Sequence, residues 1–94
     1  MKTLILASSF KRAFKAVVRR RPELRQQIEE RLRLLAIAPF DPMLKTHKLK
    51  GELSGSWAFS VEYDCRIIFN FLQNAESGEE EILLIDIGTH DEVY

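Results

Sequence analysis

The sequence holds 94 residues, 46% apolar and 30% charged, with one cysteine and a formal net charge of zero. That size suits one domain, residues 1–94, with one core, and the composition is that of a soluble globular chain. A single cysteine excludes an internal disulfide, the apolar opening is too short for a secretory leader, and nothing approaches the roughly 18 apolar residues of a membrane span, so the expected location is the cytoplasm. The zero balance conceals a division. Residues 1–50 carry 13 Lys or Arg against 4 Asp or Glu, a balance of +9, and residues 51–94 carry 1 against 10, a balance of −9. Two solvated faces of opposite sign, or a basic surface that meets polyanion phosphate, both fit that division.

In chain order, KTLILA (residues 2–7) is short and apolar and predicts an initial strand. Ser8 or Ser9 is placed to cap a helix. Phe10, Ala13, Phe14, Val17 and Val18 then fall on one helical face, with Lys11, Arg12, Lys15 and Arg19 opposite. Arg21-Pro22 stops that helix, and Pro22 suits the first turn of the next. Leu24, Ile28, Leu32 and Leu35 give a second amphipathic helix ending before Pro39, so the two form an antiparallel hairpin. Pro39 to Lys50 has no period and is expected as loop. Trp57, Phe59 and Val61 alternate with Ala58, Ser60 and Glu62, the pattern of a half-buried strand with Trp57 in the core. Tyr63-Asp64 can reverse the chain into a second strand, Cys65 to Phe71. Asn74 to Gly78 is a turn cluster, and Ile82 to Ile87 a final strand, with Gly88 expected to break it. The order βααβββ predicts a small α+β domain: a mostly antiparallel sheet, its last three strands a meander, with the helical hairpin packed on it.

No Gly-rich phosphate loop occurs. Two histidines and one cysteine without ligand spacing argue against zinc, no cofactor is expected, and Cys65 on a strand reads as a small core hydrophobe. What remains is His47, Asp64, Arg66, His90 and Tyr94. Phosphodiester cleavage without metal needs a base for the attacking hydroxyl, a cation over the phosphorane oxygens and an acid for the leaving oxygen. Imidazole titrates near neutrality and serves as acid or base; arginine forks onto phosphate; tyrosine stacks on a nucleobase. Each residue also has a plainer reading: His47 in a loop, His90 on the surface, Asp64 favouring a turn, Arg66 in an ion pair with Asp64 or Asp86, Tyr94 at a frayed end. The arginine-rich helical faces read first as solvation.

In this order the residues resemble the RelE/ParE superfamily of bacterial type II toxins, and within it the YafQ-like and RelE/StbE mRNA interferases. The resemblance spans nearly the whole chain: the helical hairpin, HKLKGELSGSW, VEYDCRIIF and the ending DIGTHDEVY. His47 falls on the histidine of the H-x-L-x-G loop, Asp64 on the acidic residue after V-E-x, and Arg66 on a phosphate-directed arginine. His90 is the histidine of G-T-H, and Tyr94 the terminal aromatic. Ser60 stands where such toxins can carry a further histidine, and Cys65 where they carry tryptophan. The resemblance implies mRNA cleavage in the ribosomal A site by 2′-OH attack. His90 would be the acid, His47 or Asp64 the base, Arg66 the phosphorane stabiliser, and Tyr94 a stacking residue. Lys45, Lys48 and Lys50 would hold RNA phosphates. It also implies a cognate antitoxin that binds and neutralises the toxin. A ParE-like inhibitor of DNA gyrase and a catalytically impaired antitoxin-binding relic are the alternatives.

Overall fold

The computed structural model describes residues 1–51, 55–62 and 64–89. Among these the elements run β1 (Thr3–Leu6), α1 (Ser8–Arg20), α2 (Leu24–Ile37), a 3-10 turn (Pro42–Leu44), β2 (His47–Lys48), β3 (Trp57–Glu62), β4 (Cys65–Gln73) and β5 (Glu80–Thr89). The sheet order is β1-β5-β4-β3-β2. β1 lies parallel to β5 and every other pairing is antiparallel. Two helices on a five-stranded mixed sheet give the expected α+β architecture, with β3, β4 and β5 as its meander.

The helical hairpin closes because Pro22 cannot continue α1. The Arg21 N–H still reaches the Val17 carbonyl at 2.8 Å, and the Leu24 N–H then turns back onto the Arg21 carbonyl at 3.0 Å. Pro22 therefore sits in the joint, two residues before α2 begins. The apolar stripes meet one face of the sheet: Phe10 and Val17, then Leu24, Ile28 and Leu35, pack against Phe59, Val61, Cys65, Ile67, Phe69, Ile82, Leu84 and Ile87. Burial of these side chains, each contributing about 1.5–3 kcal/mol, fixes the register, since a one-residue slip would turn every strand inside out. Trp57 lies at the margin of this core rather than inside it, edge-on to Phe40 at 5.3 Å and to Phe71 at 5.6 Å.

Three local readings are corrected. Helix α1 begins after Ala7 without a side-chain cap; the Ser9 hydroxyl instead donates to the Ile85 carbonyl at 2.6 Å. Ile85 is the extra residue of a bulge, because Ile68 pairs with Asp86 and the next residue, Phe69, with Leu84. A bulge leaves a carbonyl outside the ladder, and Ser9 satisfies it. Ser9→Ala is accordingly expected to cost about 1 kcal/mol, read as a lower urea midpoint at unchanged slope; an unchanged midpoint would mean that water replaces the hydroxyl. Second, Pro39–Lys50 is not plain loop: it holds the 3-10 turn and β2, each too short to show a period. Third, Gly88 does not end β5; it is buried and pairs with Arg66.

Candidate active site

The segment before β2 is built to present His47. The Asp41 carboxylate accepts from the Met43 N–H at 2.9 Å and starts the 3-10 turn, whose Leu44 is fully buried. Thr46 donates to the Pro39 carbonyl at 2.6 Å. Lys45 adopts left-handed backbone geometry, φ 53°, which a side chain other than glycine or asparagine rarely takes. That turn aims the Lys45 carbonyl at the His47 ring, 2.9 Å from Nδ1. A carbonyl only accepts, so Nδ1 carries the hydrogen, and in the neutral ring Nε2 is the basic atom.

Directly paired residues share a face of a sheet. His47 pairs with Ala58 and Ala58 with Ile68; two residues along, Ser60 pairs with Arg66 and Arg66 with Gly88. His47 and Arg66 therefore stand on the same face, away from the helices. Strand spacing and rise separate their backbones by roughly 12 Å, within joint reach of a nucleotide for two long side chains. Beside Arg66 stand only a serine and a glycine, which keeps that stretch of the face open. There Arg66, Ser60 and Glu62 line a cleft of about 400 Å³, closed by Met43 and Lys45 from the 3-10 turn and by Arg31 from α2.

Asp64 is drawn elsewhere. Arg21 Nη1 donates to both Asp64 oxygens, at 3.0 and 2.8 Å, its Nη2 to Glu62 at 3.3 Å and its Nε to Glu23 at 3.1 Å. One guanidinium so ties the joint of the helices to the end of the β3–β4 hairpin, where Glu62 pairs with Cys65. The bond to Asp64, ahead of that to Glu23, raises the Arg21 pKa further above its ordinary value. The Glu23 carboxyl is held below its ordinary 4.5, first by a backbone hydrogen bond and then by Arg21. A lowered folded value means that this contribution is complete above pH 4.5 and is lost as pH falls through the folded value. The Tm difference between wild type and Glu23→Gln should therefore shrink on acidification below pH 4.5; a difference constant with pH would remove Glu23 from the clamp.

The remaining expected residues divide. Lys45 lines the cleft. Lys48 pairs with Trp57 and so lies on the opposite face, its Nζ 5.3 Å from the Trp57 ring centroid. Lys50 is exposed on the segment after β2. His90 and Tyr94 lie outside the described residues.

This arrangement, a helical hairpin on a mixed sheet with an arginine-bearing cleft at the β3 edge, is that of the RelE/ParE toxins. The YoeB/ParE toxin from Agrobacterium tumefaciens superposes with a TM-score of 0.74 at 21% identity, over 96% of this chain and 99% of that one. YafQ from E. coli strain BL21(DE3) gives 0.79 at 17% identity, over 100% and 99%. The E. coli DinJ–YafQ complex gives 0.78 at 18%, over 100% and 99%. No curated protein matches by sequence. The model of the YafQ family, bacterial toxins of type II toxin–antitoxin systems, matches residues 2–94, and the chain belongs to that family.

Proposed function

We propose that this toxin is a metal-independent endoribonuclease that cuts mRNA in the ribosomal A site and thereby stops translation. The observation that carries the reading is the basic cleft at Arg66, with His47 on the same face of the sheet and its Nε2 available as a base. His47 takes the proton of the transcript's 2′-OH as the O2′–P bond forms. Arg66 forks onto the phosphorane oxygens. His90 gives a proton to O5′ as the P–O5′ bond breaks, leaving a 2′,3′-cyclic phosphate, or its hydrolysis product, and a 5′-hydroxyl. Tyr94 stacks on a nucleotide, and Lys45 and Lys50 hold backbone phosphates. Asp64, engaged by Arg21, holds the hairpin in place rather than acting as the base.

A cognate antitoxin is the second partner. An apolar groove of about 560 Å³ runs along α1, floored by Leu6, Phe14 and Val18 and rimmed by Lys11, Lys15 and Arg25; an acidic amphipathic segment would match it. Among the described residues no helix is long and apolar enough to cross a membrane, and a ribosomal target places the toxin in the cytoplasm. The test is primer extension on a reporter mRNA with programmed ribosomes, for wild type, Arg66→Ala and His90→Ala. Cuts at A-site codons that need both ribosomes and the wild-type residues are expected. Intact mRNA with inhibited gyrase would replace this reading with a ParE-like one, and growth unaffected despite tight antitoxin binding would leave a binding relic.

A further inference from the structure

Results

Sequence analysis

The sequence holds 94 residues, 46% apolar and 30% charged, with one cysteine and a formal net charge of zero. That size suits one domain, residues 1–94, with one core, and the composition is that of a soluble globular chain. A single cysteine excludes an internal disulfide, the apolar opening is too short for a secretory leader, and nothing approaches the roughly 18 apolar residues of a membrane span, so the expected location is the cytoplasm. The zero balance conceals a division. Residues 1–50 carry 13 Lys or Arg against 4 Asp or Glu, a balance of +9, and residues 51–94 carry 1 against 10, a balance of −9. Two solvated faces of opposite sign, or a basic surface that meets polyanion phosphate, both fit that division.

In chain order, KTLILA (residues 2–7) is short and apolar and predicts an initial strand. Ser8 or Ser9 is placed to cap a helix. Phe10, Ala13, Phe14, Val17 and Val18 then fall on one helical face, with Lys11, Arg12, Lys15 and Arg19 opposite. Arg21-Pro22 stops that helix, and Pro22 suits the first turn of the next. Leu24, Ile28, Leu32 and Leu35 give a second amphipathic helix ending before Pro39, so the two form an antiparallel hairpin. Pro39 to Lys50 has no period and is expected as loop. Trp57, Phe59 and Val61 alternate with Ala58, Ser60 and Glu62, the pattern of a half-buried strand with Trp57 in the core. Tyr63-Asp64 can reverse the chain into a second strand, Cys65 to Phe71. Asn74 to Gly78 is a turn cluster, and Ile82 to Ile87 a final strand, with Gly88 expected to break it. The order βααβββ predicts a small α+β domain: a mostly antiparallel sheet, its last three strands a meander, with the helical hairpin packed on it.

No Gly-rich phosphate loop occurs. Two histidines and one cysteine without ligand spacing argue against zinc, no cofactor is expected, and Cys65 on a strand reads as a small core hydrophobe. What remains is His47, Asp64, Arg66, His90 and Tyr94. Phosphodiester cleavage without metal needs a base for the attacking hydroxyl, a cation over the phosphorane oxygens and an acid for the leaving oxygen. Imidazole titrates near neutrality and serves as acid or base; arginine forks onto phosphate; tyrosine stacks on a nucleobase. Each residue also has a plainer reading: His47 in a loop, His90 on the surface, Asp64 favouring a turn, Arg66 in an ion pair with Asp64 or Asp86, Tyr94 at a frayed end. The arginine-rich helical faces read first as solvation.

In this order the residues resemble the RelE/ParE superfamily of bacterial type II toxins, and within it the YafQ-like and RelE/StbE mRNA interferases. The resemblance spans nearly the whole chain: the helical hairpin, HKLKGELSGSW, VEYDCRIIF and the ending DIGTHDEVY. His47 falls on the histidine of the H-x-L-x-G loop, Asp64 on the acidic residue after V-E-x, and Arg66 on a phosphate-directed arginine. His90 is the histidine of G-T-H, and Tyr94 the terminal aromatic. Ser60 stands where such toxins can carry a further histidine, and Cys65 where they carry tryptophan. The resemblance implies mRNA cleavage in the ribosomal A site by 2′-OH attack. His90 would be the acid, His47 or Asp64 the base, Arg66 the phosphorane stabiliser, and Tyr94 a positioning or stacking residue. Lys45, Lys48 and Lys50 would hold RNA phosphates. It also implies a cognate antitoxin that binds and neutralises the toxin. A ParE-like inhibitor of DNA gyrase and a catalytically impaired antitoxin-binding relic are the alternatives.

Overall fold

The computed structural model describes residues 1–51, 55–62 and 64–89. Among these the elements run β1 (Thr3–Leu6), α1 (Ser8–Arg20), α2 (Leu24–Ile37), a 3-10 turn (Pro42–Leu44), β2 (His47–Lys48), β3 (Trp57–Glu62), β4 (Cys65–Gln73) and β5 (Glu80–Thr89). The sheet order is β1-β5-β4-β3-β2. β1 lies parallel to β5 and every other pairing is antiparallel. Two helices on a five-stranded mixed sheet give the expected α+β architecture, with β3, β4 and β5 as its meander.

The helical hairpin closes because Pro22 cannot continue α1. The Arg21 N–H still reaches the Val17 carbonyl at 2.8 Å, and the Leu24 N–H then turns back onto the Arg21 carbonyl at 3.0 Å. Pro22 therefore sits in the joint, just ahead of α2. The apolar stripes meet one face of the sheet. Phe10 and Val17, then Leu24, Ile28 and Leu35, pack against Phe59, Val61, Cys65, Ile67, Phe69, Ile82, Leu84 and Ile87. Burying the larger of these side chains contributes about 1.5–3 kcal/mol each and fixes the register, since a one-residue slip would turn a strand inside out. Trp57 lies at the margin of this core rather than inside it, edge-on to Phe40 at 5.3 Å and to Phe71 at 5.6 Å.

Three local readings are corrected. Helix α1 begins after Ala7 without a side-chain cap; the Ser9 hydroxyl instead donates to the Ile85 carbonyl at 2.6 Å. Ile85 is the extra residue of a bulge, because Ile68 pairs with Asp86 and the next residue, Phe69, with Leu84. A bulge disrupts the ladder locally, and Ser9 gives the Ile85 carbonyl a partner. Ser9→Ala is accordingly expected to cost about 1 kcal/mol, read as a lower urea midpoint at unchanged slope; an unchanged midpoint would mean that water replaces the hydroxyl. Second, Pro39–Lys50 is not plain loop: it holds the 3-10 turn and β2, each too short to show a period. Third, Gly88 does not end β5; it is buried and pairs with Arg66.

Candidate active site

The segment before β2 is built to present His47. The Asp41 carboxylate accepts from the Met43 N–H at 2.9 Å and starts the 3-10 turn, whose Leu44 is fully buried. Thr46 donates to the Pro39 carbonyl at 2.6 Å. Lys45 adopts left-handed backbone geometry, φ 53°, which side chains other than asparagine, aspartate or histidine seldom take. The Lys45 carbonyl then lies 2.9 Å from Nδ1 of His47. A carbonyl only accepts, so Nδ1 carries the hydrogen, and in the neutral ring Nε2 is the basic atom.

Directly paired residues share a face of a sheet. His47 pairs with Ala58 and Ala58 with Ile68; two residues along, Ser60 pairs with Arg66 and Arg66 with Gly88. His47 and Arg66 therefore stand on the same face, opposite the one that carries Phe59 and Phe69. Strand spacing and rise separate their backbones by roughly 12 Å, within joint reach of a nucleotide for two long side chains. The strand neighbours of Arg66 are a serine and a glycine, which keeps that stretch of the face open. There Arg66, Ser60 and Glu62 line a cleft of about 400 Å³, closed by Met43 and Lys45 beside the 3-10 turn and by Arg31 from α2.

Asp64 is drawn elsewhere. Arg21 Nη1 donates to both Asp64 oxygens, at 3.0 and 2.8 Å, its Nη2 to Glu62 at 3.3 Å and its Nε to Glu23 at 3.1 Å. One guanidinium so ties the joint of the helices to the end of the β3–β4 hairpin, where Glu62 pairs with Cys65. The bond to Asp64, ahead of that to Glu23, raises the Arg21 pKa further above its ordinary value. The Glu23 carboxyl is held below its ordinary 4.5, first by a backbone hydrogen bond and then by Arg21. With the folded value lowered, this contribution is complete above the ordinary 4.5 and is lost as pH falls through the folded value. The Tm difference between wild type and Glu23→Gln should therefore shrink on acidification below about pH 4.5; a difference constant with pH would remove Glu23 from the clamp.

The remaining expected residues divide. Lys45 lines the cleft. Lys48 pairs with Trp57 and so lies on the opposite face, its Nζ 5.3 Å from the Trp57 ring centroid. Lys50 is exposed on the segment after β2. His90 and Tyr94 lie outside the described residues. Arg31 is a cleft residue that periodicity concealed: it falls outside the apolar stripe of Leu24, Ile28, Leu32 and Leu35, and only the tertiary approach of β3 turns that position inward.

A helical hairpin on a five-stranded mixed sheet is a fold shared with solved bacterial toxins. The YoeB/ParE toxin from Agrobacterium tumefaciens superposes with a TM-score of 0.74 at 21% identity, over 96% of this chain and 99% of that one. YafQ from E. coli strain BL21(DE3) gives 0.79 at 17% identity, over 100% and 99%. The E. coli DinJ–YafQ complex gives 0.78 at 18%, over 100% and 99%. No curated protein matches by sequence. The model of the YafQ family, bacterial toxins of type II toxin–antitoxin systems, matches residues 2–94, and the chain belongs to that family.

Proposed function

We propose that this toxin is a metal-independent endoribonuclease that cuts mRNA in the ribosomal A site and thereby stops translation. The observation that carries the reading is the basic cleft at Arg66, with His47 on the same face of the sheet and its Nε2 as the basic atom. His47 takes the proton of the transcript's 2′-OH as the O2′–P bond forms. Arg66 forks onto the phosphorane oxygens. His90 gives a proton to O5′ as the P–O5′ bond breaks, leaving a 2′,3′-cyclic phosphate, or its hydrolysis product, and a 5′-hydroxyl. Tyr94 stacks on a nucleotide, and Lys45 and Lys50 hold backbone phosphates. Asp64, engaged by Arg21, holds the hairpin in place rather than acting as the base.

A cognate antitoxin is the second partner. An apolar groove of about 560 Å³ runs along α1, floored by Leu6, Phe14 and Val18 and rimmed by Lys11, Lys15 and Arg25; an acidic amphipathic segment would match it. Among the described residues no helix is long and apolar enough to cross a membrane, and a ribosomal target places the toxin in the cytoplasm. The test is primer extension on a reporter mRNA with programmed ribosomes, for wild type, Arg66→Ala and His90→Ala. Cuts at A-site codons that need both ribosomes and the wild-type residues are expected. Intact mRNA with inhibited gyrase would replace this reading with a ParE-like one, and growth unaffected despite tight antitoxin binding would leave a binding relic.

A further inference from the structure

Helix α2 carries Arg25, Arg31 and Arg33, and they are not equivalent. Arg25 and Arg33 are exposed, and Arg25 faces Glu29 one turn on, at 3.9 Å. Arg31 is half-buried, lines the cleft with Lys45 and Arg66, and its Nε is fully buried without a hydrogen-bond partner among the described residues. A buried guanidinium donor left unpaired is costly, and native structures almost always supply an acceptor. Among the described residues the cleft offers one carboxylate, Glu62, and that one already accepts from Arg21 at 3.3 Å. Arg31 and Lys45 therefore lack a matching anion among the cleft's own described residues. The opening, about 400 Å³, lies within the size range of ligand pockets and exceeds what one phosphate fills.

We infer that Arg31 and Lys45 form a second phosphate seat beside Arg66, which takes the RNA backbone phosphate next to the one that is cut. This rests on the nuclease reading for its substrate strand, but the seat is defined by binding alone. Arg31 reaches the strand from the helical layer and Lys45 from the 3-10 turn, so the RNA is gripped on either side of β3. The left-handed backbone at Lys45 fits the same purpose: glycine would relieve the strain there but would leave the seat without its ammonium.

The test uses a single-stranded oligonucleotide with 2′-O-methyl groups throughout, which the toxin cannot cut because the nucleophile is blocked. Affinity is measured by fluorescence anisotropy across a salt series for wild type, Arg31→Gln, Arg31→Lys and the exposed control Arg33→Gln. Loss of one phosphate contact on a single strand lowers the slope of log K against log salt by about 0.7. Arg31→Gln should show that loss and Arg33→Gln should keep the wild-type slope. Arg31→Lys should keep the slope but bind several-fold more weakly, because the ammonium has no fork. Inorganic phosphate added to the wild type should shift the Arg31 Nε–H resonance saturably, an observation that needs no variant to fold. A wild-type slope in Arg31→Gln, wild-type affinity in Arg31→Lys, or no shift with phosphate would each overturn the seat. Ribosome-dependent cuts alongside any of those results would leave the nuclease standing without it; a phosphate-dependent Arg31 signal in a toxin that cuts nothing would do the reverse.

Discussion

Arg66→Ala is expected to lower ribosome-dependent cleavage about 10²–10³-fold, the range for removing one preorganised donor from a developing oxyanion. Charge accumulates on the phosphorane oxygens only as the 2′-oxygen attacks, and a planar guanidinium meets two of them at once. Arg66→Lys should recover part of the loss, since it restores the charge but not the fork. The side chain lies on the face opposite Phe59 and Phe69, between Ser60 and Gly88, so neither variant opens the core. Single-turnover cleavage on programmed ribosomes, with a thermal melt of each variant, measures the effect. A folded Arg66→Ala toxin that cuts within threefold of wild type would take Arg66 out of the chemistry.

The largest loss of stability is expected at Phe69. It is fully buried on β4, tilted against Phe59 at 5.8 Å and edge-on to Phe71 at 5.2 Å. Phe→Ala at such a site costs about 3–5 kcal/mol through lost transfer energy and the cavity left behind. A small domain has only about 5–15 kcal/mol in all, so Phe69→Ala removes a large share of the fold's stability. Phe69→Leu, which keeps much of the volume, should lose under half as much. Urea unfolding gives both numbers from the midpoint at constant slope. A cost near that of an exposed substitution in Phe69→Ala would show that the three-ring cluster closes around the gap.

What could be read in the sequence was what lies close along the chain. Period 3.6 and Pro22 marked the two helices, and period 2 in Trp57–Val61 marked the face of β3, because those patterns reflect which side each residue buries. The Asn74 turn followed from local chemistry as well: its side-chain oxygen accepts from the Glu76 and Ser77 N–H groups at 2.8 and 3.0 Å. Partners set by tertiary approach were hidden. Ser9 had every mark of a cap, but a bulge in a strand far along the chain claimed its hydroxyl. Gly88 read as a breaker, yet its pairing with Arg66 of β4 carries the strand through it. At the site, Arg66 and His47 stood out by residue type alone. The partner of Asp64 did not: Arg21 belongs to the joint of the helices, and no local rule connects it to the β3–β4 hairpin. Arg31 was hidden for the same reason.

The strand that holds the sheet together is made late. β5 lies between β1 and β4, and Ser9 waits for a carbonyl 76 residues further along. During synthesis α1 and β1 emerge with their apolar sides uncovered, while the segment that will cover them has yet to be translated. Contacts so distant in sequence form slowly, because a long loop must close before they contribute anything. A nascent chain is thus unable to complete its sheet while most of it is still being made. The toxin therefore cannot complete its fold until the last strand has been delivered.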